Sequence, residues 1–163
     1  MPAGGRPALA ALAAAALAVA ACGPKLPKGV DPERLDQAVS DAIGDPNTCM
    51  LIGRQGSGQV VWRYNTHTVC ARSLPACDQP GQRTVEALLQ ATARDGRPRQ
   101  SSCNSAADGS RGVGWVSGPI AGRAAGPGAG KGLVYAAVME GPRALPGRIM
   151  ADKVDGALKD AGL

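Results

Sequence analysis

The chain has no Phe, and its only aromatic side chains are Trp62, Tyr64, Trp115 and Tyr135. Much of its apolar content is Ala, which buries little area per residue. Gly and Pro add 23 and 13 residues, many of them suited to turns and loops. A single core built from such material across 163 residues is thin and calls for cross-links. The five cysteines, Cys22, Cys49, Cys70, Cys77 and Cys103, are the natural source of those links. The hydrophobic fraction of 44% nevertheless sets the chain apart from disordered polypeptides.

The N-terminus has its own grammar. Residues 1–7 carry one basic side chain, Arg6, and Ala8 to Ala21 are fourteen consecutive Ala, Leu or Val residues. As a helix at about 1.5 Å per residue this run is about 21 Å long, too short for a hydrocarbon core of about 30 Å. Its length suits the apolar region of a signal peptide. The run ends in Val19-Ala20-Ala21-Cys22. This tetrad resembles the lipobox of bacterial lipoproteins: a branched apolar residue, two small residues and a cysteine. The resemblance implies a signal peptide over 1–21, cleavage before Cys22, a diacylglycerol on its sulfur and an acylated amine, palmitate among the expected chains. Ala18, Ala20 and Ala21 would also permit ordinary secretory cleavage nearby.

Residues 22–29, with Pro24, Pro27, Lys25 and Lys28, read as a lipidated tether, and 30–163 as one disulfide-braced α+β domain. The expected location is the bacterial cell envelope, facing the periplasm or the exterior. Gly23 rather than Asp after the cysteine favours the outer membrane where two membranes exist. Lipid is the expected partner through Cys22.

Asp31-Pro32-Glu33 is a helix start, with Asp as N-cap and Pro at the first helical position. Val30 and Leu35 take the positions of a hydrophobic staple, and Gly44-Asp45-Pro46 ends the helix. Cys49–Ile52 and Val60–Thr66 form a hairpin, with Val60, Trp62 and Tyr64 expected on one buried face. A second helix is predicted from Thr84 to Arg94. Strands are predicted at Val113–Val116 and Leu133–Met139, and a last helix after Pro146 with Met150, Val154, Ala157, Leu158 and Ala161 inward. The prediction is an antiparallel sheet of about four or five strands packed by three helices. Its element order resembles that of profilin-like domains.

With Cys22 lipidated, Cys49, Cys70, Cys77 and Cys103 are left, an even number in a compartment that oxidises thiols. The hairpin brings Cys49 and Cys70 to one end, and Cys77 and Cys103 flank the second helix, which favours those two pairs. A pairing that joins Cys70 to Cys77 is also locally open. A metal site using His67, Cys70 and Cys77 lacks tight C-x2-4-C spacing, and no C-x-x-C redox pair exists.

No catalytic signature emerges. Gly126–Gly132 contains a Gly-Lys pair, but Ala125 and Gly132 replace the glycine and hydroxyl residue that a phosphate loop needs. His67 is the only histidine, so a Ser-His-acid hydrolase would have to use it. No G-x-S-x-G or S-x-x-K is present, and Ser57 and Ser117 read as turn serines beside glycines. Arg94, Arg97 and Arg99 cluster after the second helix and could meet an acidic polymer. The net charge of +5 leans the same way, toward anionic envelope polymers. There is no nucleic-acid motif. The expected function is a non-enzymatic envelope protein that binds a partner or supports an assembly, without cofactor. The alternatives are a periplasmic hydrolase using His67, in a pocket near the third and fourth strands, and a small-ligand-binding domain.

Overall fold

The computed structural model describes Met1 and residues 25–120 and 132–163. The signal-peptide run, Cys22, and all of the Gly126–Gly132 segment except Gly132 lie outside the described residues.

Among the described residues there are four helices: α1 (Pro32–Ile43), α2 (His67–Cys70), α3 (Val85–Asp95) and α4 (Gly147–Asp160). The strands are β1 (Cys49–Arg54), β2 (Val60–Tyr64), β3 (Leu74–Pro75), β4 (Gln82–Arg83), β5 (Arg99–Asn104), β6 (Gly112–Pro119) and β7 (Leu133–Gly141). Five of them make one antiparallel sheet in the order β2-β1-β7-β6-β5, and β3 pairs with β4 in a small second sheet. The class is therefore α+β, as the sequence predicts.

β7 is the middle strand, and all nine of its residues are buried. An unbroken apolar run suits an antiparallel strand only when both faces of the sheet are covered. Here Met50, Ile52, Trp62, Tyr135 and Ala137 meet the side chains of α1 and α4. Leu51, Val113, Trp115, Ala136 and Val138 meet α3 and the segment around Cys70 and Leu74. The result is three layers, with the sheet between two helical covers.

The helix ends follow local chemistry. Asp31 Oδ1 accepts from the Glu33 amide at 3.0 Å, and Val30 and Leu35 are both buried in one cluster. Thr84 caps α3, and Gly96 closes it in the left-handed region at φ 66°. α4 is seated by contact. A Cβ on Gly147 would lie 2.8 Å from the Ser101 amide nitrogen and carbonyl oxygen and from the Trp115 carbonyl, so only glycine lets this helix start against β5 and β6.

The cysteines pair as Cys49–Cys70 and Cys77–Cys103, with Cα–Cα separations of 5.2 and 5.5 Å. The first bond ties α2 to the start of β1. The second ties the loop between β3 and β4 to β5. That loop also lies over Trp115, whose Nε1 donates to the Pro75 carbonyl at 2.8 Å, while the Arg83 guanidinium sits 4.8 Å from its ring centre.

Three local expectations need correction. The hairpin register shifts between Ile52 and Gly53, so that Trp62 pairs with Ile52 and Val60 pairs with Gly53. Val61 becomes the extra residue of a β-bulge, and Val60 turns to the α3 side while Trp62 and Tyr64 face α1. The hairpin is also covered on both faces rather than one. Ser117 is no turn serine: it lies in β6, buried, with its hydroxyl 2.7 Å from that of Thr92.

The two glycines of α4 should respond oppositely to a methyl group. Gly147→Ala is expected to lower unfolding stability by about 1–3 kcal/mol through forced displacement of the β5 backbone. Gly156→Ala has open space around it and should raise stability by about 0.5–1 kcal/mol through helix propensity. Urea unfolding of the two variants checks both signs.

Candidate functional site

His67 is the first residue of α2 and is exposed. Thr66 caps that short turn by accepting from the Val69 amide at 3.3 Å. Arg63 Nη1 lies 3.0 Å from His67 Nδ1. A guanidinium only donates, so Nδ1 is the acceptor and the proton of the neutral ring sits on Nε2. A Ser-His-acid site needs the reverse arrangement, with Nδ1–H given to the acid and Nε2 open to the serine. A cavity of about 190 Å³ beside His67 is lined by Leu51, Val60, Arg63, Cys70, Ala71 and Glu86. It lies against β1, β2 and α2, not near β6 and β7 as the sequence reading expects. No serine is among its lining residues. Ser57 is occupied in the β1–β2 turn, accepting from the Gln59 amide at 3.3 Å. The sulfurs of Cys70 and Cys77 are both in disulfides, so neither is a thiolate that could join His67 on a metal.

Arg94 in the last turn of α3, Arg97 and Arg99 do not act as one patch. Arg99 lies in β5 and holds both carboxylate oxygens of Asp95, the carbonyl of Arg97 at 2.9 Å and Thr92 Oγ1 at 3.3 Å. The Arg99 fork holds the Asp95 carboxyl well below the usual carboxylate range. Arg94 and Arg97 point to solvent.

The strongest charge cluster is one the sequence reading did not name. Glu140, near the end of β7, is 4% exposed. Its Oε1 accepts from Arg111 Nε at 2.8 Å and Ser105 Oγ at 2.9 Å. Its Oε2 accepts from Arg111 Nη2 and Arg72 Nη2, each at 2.9 Å. The bidentate Arg111 leads in holding this carboxyl down to about 2 against the cost of burial. Every lone-pair direction is used, so the cluster is a clamp on the 71–73 and 105–111 loops rather than a place for substrate. One sequence signal pointed to it: a single acid terminating the apolar run Leu133–Met139.

A different kind of site opens where the described chain begins. Leu26 packs on the α1-side core, and the Val30 amide turns back to the Pro27 carbonyl at 3.3 Å. The domain's packing thus starts inside the segment expected to be a tether. Beside it lies an open cleft of about 340 Å³, lined by Lys25, Leu26, Val30, Pro32, Val61 and Trp62. Five of these six residues present carbon-rich surface, and Lys25 stands at the rim, exposed.

Glu140→Gln should cost about 2–3 kcal/mol at neutral pH, since the two arginines are only partly desolvated. A depressed carboxyl stabilises the fold above its unfolded value and ceases to do so as it protonates. The gap between wild type and variant should therefore close as pH falls from about 4.5 toward 2. His67→Ala should stay within about 0.5 kcal/mol of wild type, as an exposed surface change does. Urea titrations from neutral pH down to about 2 read all three quantities.

Comparison with protein-family models, curated proteins and solved structures found no match to this chain.

Proposed function

We propose that this chain is a lipid-anchored bacterial envelope protein with a binding or structural role, attached through acylated Cys22. The observation that carries this reading is the cysteine pairing. Cys49, Cys70, Cys77 and Cys103 are used up in two disulfides, which leaves Cys22 as the odd thiol of the chain. Two disulfides suit an oxidising compartment such as the periplasm or cell exterior. An odd cysteine at the end of an apolar run, in the sequence Val19-Ala20-Ala21-Cys22, suits lipid transfer to its sulfur. No helix among the described residues is long and apolar enough to cross a membrane. Attachment by two or more acyl chains would be stable, where one chain is marginal.

The inverted proton placement on His67 speaks against a hydrolase built on that residue. The polar clusters of the domain are closed on themselves: Glu140 by Arg72, Arg111 and Ser105, and Arg99 by Asp95. Such clusters brace loops and leave the surface for contact with a partner. A second envelope protein or an anionic polymer remains the partner class in this proposal, with two exposed cations to meet it, Arg94 in the last turn of α3 and Arg97 in the α3–β5 connection.

Metabolic labelling with a palmitate analogue tests the anchor. The wild-type chain should take up label and sediment with membranes. Cys22→Ala should lose the label and appear in the soluble fraction with both disulfides intact. Unlabelled wild-type protein in the soluble fraction would contradict the proposal.

A further inference from the structure

We infer that the domain lies on the bilayer by the cleft around Trp62, so that the sheet stands edge-on with β2 at the lipid surface. The inference rests on the anchoring reading above and adds an orientation to it. Its occupant is the headgroup and upper acyl region of the membrane.

Three observations meet at this cleft. The first is reach. Only Gly23 and Pro24 lie between Cys22 and Lys25, and an extended chain covers only about 10–11 Å in those three steps. From Leu26 onward the chain is fastened to the core, so no further slack exists. Whatever surface surrounds Lys25 must therefore stay within about a Debye length of the headgroups.

The second is the chemistry of that surface. The cleft is apolar at its floor, where Val30 and Trp62 are buried, and half-open at Leu26 and Val61. Val61 is turned toward this side by the bulge in β2. Lys25 stands at its rim and Lys28 follows three residues on, both exposed, and lysines this close to the anchor are drawn to an anionic leaflet. A tryptophan beside lysines with an apolar floor is the combination that settles at a membrane interface.

The third is topology. β2 is an edge strand of the main sheet and β5 is the opposite edge. With about 4.8 Å between neighbouring strands, β5 lies about 19 Å beyond β2. An edge strand offers unpaired backbone groups that a polar headgroup layer can satisfy. In this orientation β5 faces away from the lipid, toward any soluble partner.

The two tryptophans make the test direct. Trp62 lines the cleft, whereas Trp115 is fully buried on the α3 side under Arg83. Full-length lipidated protein is reconstituted in vesicles of phosphatidylglycerol and 6,7-dibromo-phosphatidylcholine, and its emission is compared with that in unbrominated vesicles. Part of the wild-type emission should be lost to bromine, and Trp62→Phe should show no such loss. As a check independent of that variant, acrylamide should quench vesicle-bound wild type less than the soluble Cys22→Ala form. Protein that floats with vesicles but shows neither effect overturns the orientation and leaves the anchor standing. The same result with Trp62 shielded only in a cross-linkable dimer would assign the cleft to a second copy. Native wild-type protein found to carry no acyl chain on Cys22, and so failing to float, overturns the anchoring reading and the orientation together.

Discussion

Cys49–Cys70 and Cys77–Cys103 join elements that the apolar core holds only loosely. α2 has four residues, and β3 and β4 have two each. None of these could persist alone, since a single helical turn or a two-residue ladder does not offset its ordering entropy. The first bond pins α2 to β1, and the second pins the β3–β4 loop to β5. Both bonds lie on the α3 side of the sheet, where Leu51, Leu88, Leu89, Ala93 and Ala136 share one cluster with a single large ring, Trp115. Each bridge limits the freedom of the unfolded chain, an effect of about 3 kcal/mol for loops of this size.

The opposite side needs no such staple. α1 and α4 supply Leu35, Val39, Ile43, Met150, Val154 and Leu158, all buried. The sheet between the two covers is buried on both faces, which is why β7 can be apolar throughout. Glu140 is the point where that apolar strand reaches the surface. Its carboxylate gathers Arg72 from one side of the molecule and Arg111 from another, so a single acid organises two loops at the end opposite Gly132.

What the sequence reveals, and what it hides, follows the range of the interactions. α1, α3 and α4 are readable because their caps and apolar stripes lie within a few residues of one another. Asp31 with Pro32, Thr84, and the Met150–Val154–Ala157 spacing are local signals. β7 is readable from its composition. β5 is not: Arg99, Gln100, Ser101 and Ser102 are polar because the strand is an edge, and only its pairing with β6 marks it as a strand. The bulge at Val61 needs the register of β1, which no alternation within β2 contains. The Glu140 clamp is hidden for the same reason, since Arg72 and Arg111 stand 68 and 29 residues away in sequence. The cysteine pairs were readable because the hairpin and α3 fold locally and carry the thiols with them. The expected small role of His67 as a hydrolase base hinged on its neighbour, and Arg63 on the adjacent strand decides which ring nitrogen holds the proton.

The account turns on one allotment of five cysteines: four to two disulfides and one to lipid. Intact mass measurement of detergent-extracted native protein, after alkylation with iodoacetamide before and after reduction, tests that allotment in one experiment. The predicted result is a chain beginning at Cys22 that carries diacylglycerol, takes up no alkyl group before reduction and takes up four after it. An alkylated Cys22, or thiols at Cys49, Cys70, Cys77 or Cys103 that react without reduction, would contradict it.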